Sequence, residues 1–91
     1  MTYAEVLTHA IRALCADHGY WTGRSIAGLL NVNEVTVSRR HKNGWSTPAV
    51  DDLLGTLGAE PDELIANMPR IWSQQEAAER LFPTRKWFNR D

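Results

Sequence analysis

The residues with the clearest chemical potential lie in one short, positively charged segment. Residues 24–48 carry a formal charge of +3, whereas residues 49–69 carry −5 and the whole chain carries −1. The cations of the first segment are Arg24, Arg39, Arg40 and Lys42, set against Glu34. Such a distribution can turn one face toward phosphates while the acidic remainder faces outward. The alternative is that these charges simply form a solvated surface.

The sequence contains no arrangement of residues that favours catalysis. His9, His18 and His41 are scattered, and no nucleophile and base, paired carboxylates or glycine-rich phosphate loop stands out. Cys15 and His18 lie three residues apart and could hold a metal with a third ligand, but the spacing is better explained by a histidine at a helix end beside a buried thiol. We therefore expect no enzymatic activity, no metal and no cofactor.

Length and composition predict one small globular domain. The chain has 91 residues, of which 43% are hydrophobic and 23% are charged, a composition typical of folded proteins. No apolar run approaches the roughly 18 residues that a membrane span requires, and the N-terminus lacks the features of a secretory signal. A single cysteine, Cys15, excludes an intrachain disulfide. These features predict a cytoplasmic protein.

Helical spacing of apolar residues extends over most of the chain and predicts an all-α fold. Thr2 and Glu5 match the capping-box pattern, and Leu7, Ile11 and Leu14 follow at helical intervals, so a first helix is expected over residues 3–18. Gly19 suits the left-handed residue that commonly ends a helix. A second helix should begin near Thr22 and stop at Asn31. Asn33 can then cap a third helix over residues 34 to about 42.

Three further helices are predicted after Asn43 and Gly44 end the third. Pro48 suits the first turn of a fourth helix that Gly58 breaks, and Pro61 opens a short fifth helix. Ser73 and Glu76 form another capping-box pattern, which predicts a sixth helix as far as Phe82. The expected fold is a compact bundle of about five to six short helices.

The segment over residues 23–42, GRSIAGLLNVNEVTVSRRHK, resembles the helix-turn-helix of the lambda-repressor-like family, also called the XRE or Cro type. The resemblance covers about residues 20 to 65 and rests on Ile26, Ala27, Leu30, Asn31, Val32, Val37, Ser38 and Arg39, with Pro48 and the segment from Leu57 to Leu64 beyond them. The small Ala27 side chain allows two helices to cross closely. Asn31 replaces the usual glycine. Arg40 replaces an apolar residue, so its stem or Trp45 must supply the core contact there.

The resemblance implies that the third helix enters the major groove of DNA. The candidates for contacts to base edges are Glu34, Val35, Thr36, Ser38 and Arg39. Arg39 can bond both guanine acceptors, Glu34 can accept from cytosine, and Val35 can touch a thymine methyl group. The candidates for phosphate contacts are Thr22, Gly23, Arg24, Asn33, Arg40, Lys42, Asn43 and Ser46.

Several of these residues have simpler explanations. Asn33 can act as a helix cap, and the carboxylate of Glu34 is stabilised by the helix dipole whether or not it meets a base. Trp45 can anchor the core or the loop rather than contact DNA.

The resemblance predicts a DNA-binding domain over residues 1–68, followed by a C-terminal helix and a basic, aromatic tail over residues 69–91. That segment either packs back on the first helix or forms a dimer interface. The expected function is that of a sequence-specific, nucleoid-associated transcriptional regulator, a small repressor of the phage or mobile-element type. The residues permit an activator equally. The regulator would bind an inverted repeat of double-stranded DNA as a homodimer, with no membrane or small-molecule substrate involved. The alternative is a protein-interaction module, an adaptor or an antitoxin, on the same fold.

Overall fold

A computed structural model describes residues 2–68 together with Glu76 and Arg80. These residues form five α-helices and no β-strand, which confirms the predicted all-α class. The helices are α1 (Tyr3–Asp17), α2 (Gly23–Leu30), α3 (Glu34–Asn43), α4 (Thr47–Leu57) and α5 (Pro61–Ala66). The predicted sixth helix lies outside the described residues, except that Glu76 and Arg80 are both helical.

The ends of α1 are set by the residues that the sequence indicated. The Thr2 hydroxyl accepts from the Glu5 amide at 3.2 Å, and the Glu5 carboxylate accepts from the Thr2 amide at 2.9 Å. These bonds form the predicted capping box and hold the pKa of Glu5 below its ordinary value. Gly19 has a φ of 90°, a conformation that glycine adopts without strain. The helix ends at Asp17, one residue before the predicted end.

A tight connection over residues 31–33 joins α2 to α3. Asn31 adopts a left-handed conformation with φ 56° and ψ 45°, which asparagine tolerates better than most residues. The Val32 amide donates to the Ala27 carbonyl at 3.0 Å and closes the end of α2. The two helices pack against each other, with Ala27 and Val37 buried. This packing fixes the orientation of α3.

The hydrophobic core lies between α1 and the other helices. α1 packs on α3 and α5, and α2 packs on α4. The fully buried side chains include Leu7, Ile11, Leu14, Val37, Val50, Leu53 and Leu64. Trp45, between α3 and α4, is 6% exposed and belongs to this core, which confirms its predicted role as an anchor. Burying this apolar area is the main stabilising contribution in a domain of this size.

Arg80 of the C-terminal segment contacts α1. The Arg80 guanidinium lies over the Tyr3 ring, 4.9 Å from its centroid, a cation–π geometry. Burial raises the pKa of Tyr3, and the Arg80 charge opposes that shift. At this position the C-terminal segment contacts the first helix, which was one of the two arrangements expected. The rest of residues 69–91 lies outside the described part of the chain.

Candidate nucleic-acid interface

The outward face of α3 carries the side chains that the sequence singled out for base contacts. Glu34, Val35, Ser38 and Arg39 are all exposed, and Val35 retains 59% of its surface. Thr36 is half-buried beside them, and Val37 is fully buried against α2. The outward face of α3 is therefore polar and cationic, with Val35 as its one apolar side chain among the candidate base contacts. On the inward face, Val37 is the buried residue of this helix.

The start of α3 is tied to the start of α2. Arg24 Nε lies 3.7 Å from a carboxylate oxygen of Glu34. An exposed ion pair of this kind contributes little to stability, but it brings a predicted phosphate contact beside a predicted base contact. Asn33 acts as the N-cap of α3, since its side-chain oxygen accepts from the Val35 amide at 3.0 Å. The structure thus confirms that Asn33 caps α3. Its phosphate contact stays a prediction.

A reciprocal capping box between Thr22 and Ser25 closes the start of α2. The sequence indicated Thr22 as the start of this helix but not the contribution of Ser25. The Thr22 hydroxyl accepts from the Ser25 amide at 3.1 Å, and the Ser25 hydroxyl accepts from the Thr22 amide at 3.0 Å. Serine in place of the usual Glu or Gln conceals this box from the ordinary pattern. Within the described part of the chain, no partner binds the amides of Gly23 and Arg24. These two donors lie where the helix dipole favours an anion.

The end of α3 is built around Trp45. Its indole Nε1 donates to His41 Nδ1 at 3.2 Å, and the Arg40 guanidinium lies 5.4 Å from the centre of the Trp45 ring. The unusual Arg40 thus contacts the buried Trp45, which was one of the two sources of a core contact that the sequence left open. The Thr8 hydroxyl of α1 donates to the His41 carbonyl at 3.3 Å, which joins this cluster to the first helix.

The imidazole of His41 is held in its neutral form. Burial lowers the pKa of His41, and the positive charge of Arg12 lowers it further. A neutral Nδ1 is what the indole N–H of Trp45 requires as an acceptor. Protonating His41 would place two donors face to face.

The remaining predicted phosphate contacts lie in the last turn of α3 and just after it. The side chains of Lys42 and Asn43 are exposed in that turn, and neither forms an ion pair within residues 2–68. Ser46 is exposed as well, but its hydroxyl caps α4 by accepting from the Ala49 amide at 3.3 Å. Ser46 therefore has a structural role that the sequence analysis did not assign, although the pattern of Ser46, Thr47 and Pro48 before an apolar run could have indicated it.

Sequence reasoning missed a groove between α1 and Trp21. It has a volume of about 420 Å³ and is lined by Thr8, His9, Arg12, Ala13 and Trp21. Trp21 is 78% exposed. The signal that could have indicated it is the spacing of Thr8 and Arg12, four residues apart on the face of α1 opposite Leu7 and Leu14.

Neither a metal site nor a reactive thiol is present among the described residues. No group of three or more His, Cys, Asp or Glu side chains there is arranged to hold a metal ion. Burial raises the pKa of the Cys15 thiol to about 11, so it is protonated and unreactive near neutral pH. His18 instead lies 3.9 Å from the Glu63 carboxylate.

The comparisons with known proteins gave no match among family models, curated proteins or solved structures. Across residues 2–68, no helix combines the length and apolar character that crossing a membrane requires. Functional inference for this chain therefore depends on its own residues and their geometry.

Proposed function

We propose that the chain binds double-stranded DNA sequence-specifically and regulates transcription, acting as a repressor. The observation that supports this most directly is the division of α3 into two faces. It buries Val37 against α2 and exposes Val35, Ser38 and Arg39 to solvent. A helix secured on one side and chemically diverse on the other is suited to insertion into the major groove.

In the proposed complex, Arg39 reads guanine through two parallel hydrogen bonds to N7 and O6. Val35 contacts a thymine methyl group, and Ser38 and Thr36 bond to neighbouring base edges. Glu34 accepts from cytosine, while its partner Arg24 lies close enough to offset the repulsion between the Glu34 carboxylate and the phosphates.

Phosphates would be held at both ends of the helix pair. The amides of Gly23 and Arg24, with the Thr22 hydroxyl, meet one phosphate at the start of α2. Lys42 and Asn43 meet another after α3. Arg40 contacts Trp45, and Asn33 and Ser46 cap their helices. Their remaining N–H and O–H donors would bind phosphates beside these contacts.

The proposed operator is an inverted repeat bound by a homodimer. A two-fold symmetric protein of this kind presents one recognition helix to each half-site. The predicted dimer role of residues 69–91 lies outside the described part of the chain apart from Glu76 and Arg80, and Arg80 contacts Tyr3 of the same chain.

A second candidate function, protein binding, is favoured by a different surface. Trp21 is 78% exposed, and exposed tryptophan side chains are typical of the centres of protein interfaces. The acidic residues of α4 and α5, including Asp51, Asp52 and Asp62, are also exposed and would repel DNA. In this alternative the chain is an adaptor or an antitoxin.

Enrichment of random duplexes on the purified chain, followed by sequencing, tests the proposal. A palindromic consensus supports it, and an unselective pool contradicts it. Binding to the consensus should weaken steeply as salt rises, because counterions are released from the phosphates. A protein-binding module would not bind the duplexes, so no salt dependence of binding could be measured.

Two variants of Arg39 separate base reading from charge. Arg39→Ala should relax the preference at one base pair at a cost of about 1 to 3 kcal/mol. Arg39→Lys keeps the charge but loses the planar fork, so it should lose most of that preference while it retains the salt dependence. If Arg39→Ala leaves the enriched sequences unchanged, Arg39 does not contact a base edge.

A further inference from the structure

The groove between α1 and Trp21 is positively charged. The side chains that line it are Thr8, His9, Arg12, Ala13 and Trp21, none of which is acidic. Arg12 is exposed and forms no ion pair with a carboxylate in residues 2–68. Its charge reaches the neighbouring His41, whose pKa it helps to lower. The groove thus contains a guanidinium whose five donors are available to an anion.

Trp21 forms one wall of this groove. At 78% exposure it leaves a large apolar surface in water, next to an indole N–H that can donate to a polar partner. It directly precedes Thr22, the N-cap of α2, so the groove adjoins the first turn with the amides of Gly23 and Arg24.

A second lining residue of the groove contacts α3. The Thr8 hydroxyl donates to the carbonyl of His41, one residue before Lys42. The residues that line the groove thus adjoin the start of α2 through Trp21 and the last turn of α3 through Thr8, the two places at which phosphate contacts are proposed. Its open form would leave a small organic ligand largely in water, whereas such ligands are normally mostly enclosed.

We propose that this groove binds a phosphodiester of the DNA backbone that flanks the bases read by α3, with Arg12 on the phosphate and Trp21 against the adjoining deoxyribose. This inference rests on the proposed function. It adds α1 and Trp21, the residue before the N-cap of α2, to the interface. Arg12 forms a charge-assisted hydrogen bond to a phosphate oxygen, and the indole covers the apolar side of the sugar.

The experiment compares two duplexes that carry the enriched site, one cut at the ends of the consensus and one extended by several flanking base pairs. The wild type should bind the extended duplex more tightly. Arg12→Gln should weaken binding to the extended duplex by about tenfold and reduce its salt slope by about one. The consensus itself should stay unchanged, because a backbone contact carries no base information.

Matched variants assign the roles within the groove. Arg12→Lys should keep the salt slope, since it keeps the charge. Trp21→Ala should weaken binding to the extended duplex without changing the slope, and urea unfolding of each variant shows whether it is folded. Arg12→Gln and Trp21→Ala should both have little effect on the trimmed duplex. Equal losses on both duplexes, or no loss on either, would overturn the inference.

Two further outcomes distinguish the possible failures. If the wild type binds no duplex selectively, the proposed function fails and this inference fails with it. If selective binding depends on Arg39 but Arg12→Gln leaves the salt slope unchanged, this inference alone fails. A titration with inorganic phosphate or a mononucleotide tests whether the groove binds a free ligand. Binding is detected by NMR as a shift of the Trp21 indole N–H resonance. A shift that saturates below millimolar concentration without DNA would overturn assignment to the backbone.

Discussion

α1 and α3 contact each other, yet they are held in the fold in different ways. α1 buries six of its fifteen residues, whereas α3 buries one of its ten. The buried set of α1 is a continuous apolar stripe that faces the centre of the domain. α3 is held by Val37, by the Asn33 cap and by the contacts of His41 with Thr8 and Trp45.

The difference shows that stability and recognition depend on different helices of the domain. Burial of apolar area is the dominant stabilising term, so α1 carries much of the stability and tolerates little change. The exposed positions of α3 contribute little to stability and can vary in chemistry. A recognition surface needs this freedom, because its side chains must match a target rather than a core.

The largest expected effect comes from removing a core side chain of α1. Leu14 is 1% exposed, and Leu14→Ala should lower the free energy of unfolding by about 2 to 5 kcal/mol through lost burial and a cavity. Ser38→Ala on α3 serves as the contrast and should stay within about 0.5 kcal/mol. Urea unfolding measures both. Similar losses for the two variants would show that α1 and α3 do not differ as described.

A sharper version of the comparison lies within α3 itself. Val35 and Val37 are two residues apart, but Val35 is 59% exposed and Val37 is fully buried. Val37→Ala removes two buried carbon atoms and should cost about 2 kcal/mol, at roughly 0.8 kcal/mol per buried methylene with an added cavity term. The matched Val35→Ala should leave stability nearly unchanged or slightly raised, since alanine favours helix more than valine.

The same pair of variants also separates stability from recognition. In binding assays with the enriched duplex, Val35→Ala should weaken the preference for thymine at one position. Val37→Ala should leave the consensus as it is wherever the variant is folded. The proposed division of α3 is wrong if the exposed valine proves as costly to unfolding as the buried one.

The caps and turns of this fold could be predicted because each depends on residues close in sequence. The Thr2 and Glu5 box and the stop of α2 at Asn31 follow from local hydrogen bonding and backbone sterics, and both are confirmed. Val37, one of the residues that carry the helix-turn-helix resemblance, is fully buried.

The features that escaped prediction depend on residues that are distant in sequence or on an unusual local pairing. The Thr8 bond to His41 joins positions 33 apart, and the groove of Arg12 and Trp21 exists only once α1 and α2 have docked. The bond from Trp45 to His41 needed the rotamers of two rings, which spacing alone does not determine. The roles of Glu34 and Arg39 on DNA stay predictions, because they depend on a partner.

Asn33 offers an intermediate effect that distinguishes its two possible roles. Asn33→Ala removes the bond to the Val35 amide and should cost about 1 kcal/mol of stability. Asn33→Asp keeps a capping oxygen and should stay close to the wild type in urea unfolding. On the enriched duplex, however, the added negative charge should weaken binding if Asn33 lies beside a phosphate. Unimpaired binding by Asn33→Asp would restrict this residue to capping.

The smallest expected effect is a pH dependence at the end of α3. The pKa of His41 in the folded chain lies below its ordinary value of 6.5, because of burial first and the Arg12 charge second. As the pH falls, the unfolded chain therefore takes up this proton before the folded chain does. The contribution of neutral His41 to stability is present above about pH 6.5 and is lost as the pH falls through that value toward the folded pKa.

The measurement compares the wild type with His41→Gln by urea unfolding at pH 7.5 and pH 5.5. Glutamine keeps an acceptor for the Trp45 indole but does not titrate, so the variant should lose less stability between the two pH values. Glu5 does not interfere, because its pKa lies below the ordinary value of 4.5 and thus below this window. His9 and His18 are present in both chains, so their contributions cancel in the difference. If the two chains lose the same unfolding free energy between pH 7.5 and pH 5.5, the contacts of His41 at the end of α3 do not depend on its charge.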